Sequence, residues 1–360
     1  GMGIVKNARA WKGVPKMSGS SVYENMLCKA RFKSSQKFKD YDTSDATQGT
    51  ELHSYMENGT PVDEIMDSSH AYIIAECRRM ESEVTKLFGL RGEVVREARL
   101  WLLDQGVGVL SGQIDYLEVD GEDASVIDYK MLYGQYEEAA KNKQLQVYAT
   151  LVMQNYPQVK RVRVALLQPA LGKWTQGVMH RDLSEILAEK LKKLAIEVEA
   201  EDAPMTAGAA QCKYCKALAH CPAAYKLIKD EINKETDMEN ISNEELAEKM
   251  ELVGFIERYA KSIKSTAKGR LENGVDVPGF KLRNTGSVTS FDAVGASEIL
   301  FSANLPVSSF LQATKISEPD LIKIWAEHTD QSDKDAKKDL RTRLEQVMFR
   351  KEKAKSVSAA

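Results

Sequence analysis

Between Glu93 and Lys130 the chain carries three strand-forming segments joined so tightly that few folds can accept them. Period-two or continuous β-branched runs cover Glu93–Leu102, Val109–Val119 and Ser125–Lys130, separated by Gln105-Gly106 and Asp120-Gly121-Glu122-Asp123. Turns this short suit antiparallel neighbours, so the three segments predict a meander. From Tyr136 to Tyr156 the repeat becomes helical, with Leu145, Tyr148, Ala149 and Val152 on one face, and Pro157 closes it. Val162–Leu167 follows as a fourth strand. A strand reached across a helix can lie parallel to its predecessor, which predicts an α/β fold with a mixed central sheet flanked by helices.

Helical patterns surround this block. Ser18–Lys33 reads as a short helix with Cys28 near its end, Gly49–Glu57 as a helix start carrying His53, and Glu64–Phe88 as a longer helix. Leu183–Val198 is a charged amphipathic helix. Ser242 followed by Glu245 is a capping box, and the helix it opens runs toward Leu271. A strand-like Gly279-Phe-Lys-Leu-Arg283 and two or three further helices complete the chain. The expected division is one domain over residues 1–230 and a mainly helical accessory region over 231–360. Lys334–Lys355 is more basic than acidic and lacks an apolar stripe, the pattern of a solvated helix rather than of a nucleic-acid contact.

At 360 residues the chain can bury a sizeable core and still carry an appendage. With 43% hydrophobic and 29% charged residues it sits far from disordered or membrane compositions. It has no apolar run of bilayer length and no apolar N-terminal core, so the expected location is cytoplasmic, with no membrane partner. A formal charge of -3 gives no global attraction to a polyanion, so nucleic-acid chemistry must rest on local patches and bound cations.

The chemistry-bearing residues fall on the strands. Asp115 lies mid-strand and Asp128 near the end of the next, so a hairpin can set the two carboxylates side by side. Lys130, two residues past Asp128, shares its face by the period of two. Phosphodiester hydrolysis needs phosphate charge neutralised, water deprotonated and the leaving oxygen stabilised. Hard oxygen ligands around Mg²⁺ or Mn²⁺ supply the first and third, and a lysine can position water. Such residues also decorate the solvent face of a half-exposed sheet, but that reading leaves unexplained why Asp128 follows the apolar pair Val126-Ile127. His53 is a candidate further ligand from a helix, and Glu97 a candidate from the first strand. Gln144 and Tyr148, one helical turn apart, present an amide and a phenol on one face.

The ordered set Gly49-Thr-Glu-Leu-His53, Gly112-Gln-Ile-Asp115, Val126-Ile-Asp128-Tyr-Lys130 and Gln144-x-x-x-Tyr148 resembles the RecB-like branch of the PD-(D/E)XK nuclease superfamily, over roughly residues 18 to 225. The resemblance implies that His53, Asp115 and Asp128 bind metal, that Lys130 assists the attacking water, and that Gln144 and Tyr148 hold substrate near the site.

Five cysteines in a chain without a secretory signal argue against a disulfide framework. Cys212-Lys-Tyr-Cys215 and Cys221 form C-x2-C-x5-C, a spacing at which thiolates can share one metal centre. The pattern of one cysteine before the core and three after it is similar to AddB-type helicase-nucleases and CRISPR adaptation nucleases. That likeness implies Cys28 as fourth ligand of a 4Fe-4S cluster that ties the chain ends together. Zinc is the rival, and independent buried thiols a further alternative. Cys77 falls outside the pattern, as a core residue.

Residues 241–291 resemble the C-terminal region of a phage- and prophage-encoded group of RecB-like proteins. No G-x-x-x-x-G-K-S/T motif is present, which argues against ATP-driven unwinding by this chain. The expectation is therefore a metal-dependent DNA nuclease, an exonuclease by resemblance, acting in recombination, replication or repair. DNA is its substrate and a phage single-strand annealing or replication protein its candidate partner; an oligomer is compatible with the sequence. Two alternatives stand beside it: a catalytically inactive DNA-binding or scaffold protein on the same fold, and a zinc-stabilised interaction module.

Overall fold

In the computed structural model, which describes residues 9–39, 44–287 and 289–348, short elements lead into the sheet. Strand β1 (Ala10–Trp11) pairs antiparallel with β2 (Val14–Pro15), and β3 (Met17–Ser18) follows. The helix expected over Ser18–Lys33 is broken in two. Helix α1 (Val22–Leu27) stops at Cys28, whose backbone is extended, and α2 (Arg31–Gln36) begins anew. The Cys28 sulfur accepts from the Thr206 backbone N–H at 3.4 Å, a long-range tie that no local pattern records. Helix α3 (Ser44–Asn58) carries His53, and α4 (Ser68–Phe88) starts beyond the expected Glu64. Asp67 caps α4, its carboxylate accepting from the N–H groups of Ser69 at 2.9 Å and His70 at 3.1 Å.

The meander is present as β4 (Glu93–Asp104), β5 (Val107–Asp120) and β6 (Asp123–Tyr129), antiparallel throughout. Gln105 and Gly106 both take positive φ, 48° and 78°, the left-handed pair that a two-residue hairpin needs. Helix α5 (Lys143–Asn155) is shorter than the expected Tyr136–Tyr156: Asn142 caps it, accepting from the Leu145 N–H at 3.0 Å. Strand β7 (Arg161–Gln168) returns parallel to β6, which makes the sheet mixed. Strand β8 (Lys173–His180), which sequence patterning misses, adds antiparallel to β7, and α6 (Arg181–Glu199) follows. One edge of β5 pairs with β4 along its length. The other is shared, with β3 parallel at Leu110–Ser111 and β6 antiparallel from Tyr116 onward.

Helices α5 and α6 cover one face of the sheet, where Leu110, Ile114, Val126, Leu145, Val152, Val164 and Leu191 meet in one core. Asn155, near the end of α5, donates to the Trp101 carbonyl at 2.9 Å and fastens the helix to β4. Helices α7 (Pro222–Ile232) and α8 (Asn243–Glu272) close over the cysteine loop, where Cys212, Leu218, Ala224, Ile228 and Phe255 form a smaller core. The expected cap of α8 is present, with the Ser242 hydroxyl accepting from Glu245 N–H at 3.1 Å.

The chain divides into two compact units, one within Gly1–Glu64 and Ile73–Arg283, the other within Ile65–Tyr72 and Asn284–Ala360. Gly279–Arg283 is not a strand; Gly279 takes φ 82° and the Phe280 N–H bonds the Val277 carbonyl, so the segment turns. The second unit holds α9 (Ala293–Ser302), α10 (Val307–Gln312), α11 (Glu318–Thr329) and α12 (Asp333–Arg343), with Ile322, Ala326, Ala336 and Leu340 packed together. Residues 349–355 of the basic C-terminal stretch lie outside the described residues. No described helix is long and apolar enough to cross a membrane.

Candidate active site

Asp115 occupies the gap in the shared edge of β5, between the pairing with β3 and that with β6. On the face covered by α5 and α6, core positions run Leu110 and Ile114, then Leu117, so the alternation slips by one at this aspartate. Asp115 Oδ2 accepts from the Tyr129 N–H at 2.7 Å, replacing the ladder bond that the gap removes. Register places Asp128 one step beyond the Tyr116–Ile127 pair, across from Asp115, and places Glu97 opposite Asp115 on β4. Glu97 has φ 52°, a left-handed conformation that strains a non-glycine residue inside a strand. Asp115 and Asp128 are buried, at 8% and 4% exposure.

Cations face the two aspartates. His53 Nε2 lies 3.4 Å from Asp115 Oδ2, while its Nδ1 is 2.8 Å from the Gly49 carbonyl one turn earlier on α3. That carbonyl can only accept, so Nδ1 carries a proton and Nε2 is the nitrogen turned to the carboxylate. Lys130 Nζ is 3.0 Å from Asp128 Oδ2 and donates to Gln144 Oε1 at 2.8 Å. The Gln144 amide donates in turn to the Tyr148 hydroxyl at 2.9 Å. The ion contact to Asp128 Oδ2 is off hydrogen-bonding geometry, leaving that buried oxygen without a hydrogen-bond partner. His53, Asp115, Asp128, Lys130, Gln144 and Tyr148, scattered over 96 residues of chain, thus meet at the end of β6.

Titration follows from this crowding. Burial pushes the Asp128 carboxyl up to about 6, helped by Asp115 and opposed by Lys130. Burial likewise pushes Glu97 up to about 7, with Asp115 adding to it. For His53 burial pulls downward, but the Asp115 charge and hydrogen bond outweigh it and hold the imidazole at about 10. Lys130 is held above the ordinary lysine value: burial opposes its charge, and the neighbouring Asp128 overrides it.

Two features escape sequence reasoning. The Tyr136 ring, expected on the helix, lies in the loop before it with its centroid 5.4 Å from Lys130 Nζ. Arg99 donates to Ser111 Oγ at 2.9 Å and to Gln113 Oε1 at 2.8 Å, and Gln113 donates to Glu97 Oε2 at 2.9 Å, bracing the strained residue. Glycine 112 has a visible reason: a Cβ there would lie 2.7 Å from the Tyr148 ring.

Cys28, Cys212, Cys215 and Cys221 line one cavity of about 160 Å³. The Gly208 N–H points to the Cys212 sulfur at 3.4 Å, as the Thr206 N–H does to that of Cys28. Cys221 stands at the N-terminus of α7. Burial raises the thiols of Cys212 and Cys215. Cys77 is fully buried on α4. Among the described residues no three His, Cys, Asp or Glu side chains stand together so as to hold a single metal ion, at the cysteines or at the carboxylates.

Fold and site together define a mixed α/β protein whose sheet ends in a buried carboxylate–lysine cluster. Within that class the chain belongs to the DUF2800 family, proteins of unknown function, which it matches over residues 59–316. Two crystal structures are similar in part. That of SSO0001 is 16% identical, with 58% of this chain covering 86% of that one at a TM-score of 0.33. That of a candidate exonuclease from Eubacterium rectale is 14% identical, with 64% of this chain covering 92% of that one at a TM-score of 0.36. No curated protein matches the chain.

Proposed function

We propose that this protein is a metal-dependent deoxyribonuclease, an exonuclease of the RecB-like PD-(D/E)XK kind. The observation that carries the reading is the convergence of Asp115, Asp128 and Lys130 at the splayed end of β5 and β6, with His53 Nε2 facing the first aspartate. The donor chemistry, rather than a preassembled ligand cluster, suits Mg²⁺ or Mn²⁺: two buried carboxylates, and an imidazole whose Nδ1 is committed to the Gly49 carbonyl and whose Nε2 proton an ion would displace. Asp115, Asp128 and His53 would hold the ion, which supplies Lewis-acid stabilisation of the phosphate oxygens. Lys130, steered by Gln144, orients water toward the phosphorus, and Tyr148 fixes the Gln144 amide. Residues 1–230 carry this chemistry and 231–360 an accessory role.

The four cysteines around one cavity, with two backbone N–H groups aimed at sulfur, fit a 4Fe-4S cluster bound by Cys28, Cys212, Cys215 and Cys221. Held by these four cysteines, such a cluster would tie the first helices to the cysteine loop.

The test is incubation of the full chain with end-labelled linear and closed circular DNA in Mn²⁺, with EDTA and Asp128→Asn controls. Release of nucleotides from linear DNA alone, abolished by both controls, is expected. Intact DNA in every lane, alongside retained binding, would support the scaffold alternative instead. Anaerobic purification with iron, sulfide and zinc quantitation tests the cluster: Cys215→Ser should lose iron while Cys77→Ser keeps it, and stoichiometric zinc in colourless protein would overturn the assignment.

A further inference from the structure

Tyr129 stands between Asp128 and Lys130, and the period of two sends its side chain away from theirs, to the other face of the sheet. There its buried phenol meets an ion pair that the proposed chemistry leaves unused. The hydroxyl donates to Glu81 Oε2 on α4 and accepts from Arg96 on β4 at 2.8 Å. The same guanidinium forks onto both Glu81 oxygens, so three side chains close one ring of hydrogen bonds. Both the donor and an acceptor site of the hydroxyl are filled, which fixes where the ring lies. Glu81 and Arg96 are largely shielded, with 13% and 30% of their side chains exposed. An ion pair withdrawn from water returns little net stability, and a fixed geometry is the better account of it.

The main chain of Tyr129 carries that geometry to the site. Its N–H donates to Asp115 Oδ2 at 2.7 Å, the oxygen that His53 Nε2 faces at 3.4 Å. The register of β5 passes over Asp115 on the β4 side and begins only at Tyr116 on the β6 side, so this bond takes the place of a ladder contact there. The Tyr129 ring also lies beside His53, with centroids 6.0 Å apart. Of the three groups assigned to the ion, Tyr129 therefore bonds Asp115, packs near His53 and is the covalent neighbour of Asp128. A residue placed beside a ligand in this way sets the direction of the donor atom without touching the ion.

We propose that Tyr129 is a positioning residue that aims the Asp115 carboxylate, and that Glu81 and Arg96 hold it to that task from the far face of the sheet. The inference deepens the nuclease reading and rests on it for the ion, whereas the holding of Asp115 requires no metal.

The experiment compares Tyr129→Phe with Tyr116→Phe in the full chain, by Mn²⁺ affinity and by hydrogen exchange at the residue 129 amide in EDTA. Tyr116 is the matched control: its phenol is also buried and adjoins Asp115 in sequence, but its hydroxyl bonds Glu118, at 2.9 Å. Each variant loses one buried hydroxyl, so both should melt lower than wild type. Only Tyr129→Phe should weaken Mn²⁺ binding, by about 10- to 100-fold, and speed exchange at residue 129 roughly tenfold. Glu81→Gln keeps an acceptor for the hydroxyl and should hold most of the affinity, whereas Glu81→Ala should lose it as Tyr129→Phe does. Circular dichroism verifies the fold of each variant. Wild-type Mn²⁺ affinity in folded Tyr129→Phe would overturn the proposal, as would an equal loss in Tyr116→Phe, the mark of general loosening. If the wild type binds Mn²⁺ no better than Asp128→Asn, the metal reading fails and exchange alone judges the holding of Asp115. Faster exchange in Tyr129→Phe than in the control then sustains it, and equal exchange sinks it.

Discussion

The ammonium of Lys130 is held from two directions, 3.0 Å from Asp128 at the end of β6 and 2.8 Å from the Gln144 amide on α5. A charge fixed this way has one orientation, and water that hydrogen-bonds to it inherits that orientation. Lys130→Met keeps the stem and removes the charge, so cleavage in Mn²⁺ should fall about 10²- to 10⁴-fold while the fold survives. Gln144→Ala leaves the lysine charged but unsteered and should cost less, about tenfold. Equal losses for the two, or none for Lys130→Met in a folded protein, would contradict the assigned roles.

Gly112 and Tyr148 give a packing prediction. A methyl group on residue 112 meets the Tyr148 ring at 2.7 Å in a closed core, so Gly112→Ala should cost about 1–3 kcal/mol, read as a lowered melting temperature. Adding Tyr148→Leu should return much of that stability without returning activity. A single variant with unchanged melting would show that the ring can move aside.

The acid–base behaviour of the metal-free protein follows from three groups. Asp128 and Glu97 bind protons more tightly folded than unfolded, so each contributes less stability as pH rises, Asp128 between about 4 and 6 and Glu97 between about 4.5 and 7. His53, raised to about 10, contributes fully below its ordinary 6.5 and loses that contribution as pH climbs toward 10. All three slopes have one sign. In EDTA the wild type should lose more melting temperature between pH 5 and 9 than Asp128→Asn or Glu97→Gln does. Mn²⁺ competes with these protons, so the melting shift it produces should grow with pH; a shift larger at pH 5.5 than at pH 8 would refute the ligand set.

Glu97 combines a left-handed backbone with a half-buried carboxyl opposite Asp115 in the strand register. Glycine accepts φ 52° without strain and removes the charge, so Glu97→Gly should stabilise the metal-free protein by about 1 kcal/mol. If the carboxylate serves the ion, the same change weakens Mn²⁺ binding. Stability gained together with unchanged Mn²⁺ affinity would place Glu97 outside the site.

The meander was legible because its turns are written in two and four residues, and because Asp128, Lys130, Gln144 and Tyr148 are related by spacings of two and four that a strand and a helix convert directly into shared faces. Strand β8 was not: Lys-Trp-Thr-Gln-Gly-Val-Met-His offers a mostly exposed edge with a central glycine and only Met179 buried. The break at Cys28 has its partner far away in sequence, Thr206, and Tyr136 sits in an irregular loop over the nearby Lys130, so periodicity carries no trace of either. Gly279–Arg283 shows the converse error, an alternating segment whose glycine turns the chain where a strand needs extension.

Lys130 has a further dependence, through its main chain: its N–H bonds the Leu167 carbonyl on β7 at 2.8 Å, beyond the whole α5 crossover. During synthesis, then, Asp115 and Asp128 leave the ribosome well before the strand that seats the lysine between them. A polypeptide that ends ahead of Arg161 holds every acidic group of the centre, and Gln144 with them, yet lacks the strand that fixes the main chain of the lysine. Under the nuclease reading, the centre is therefore complete only once the crossover has docked.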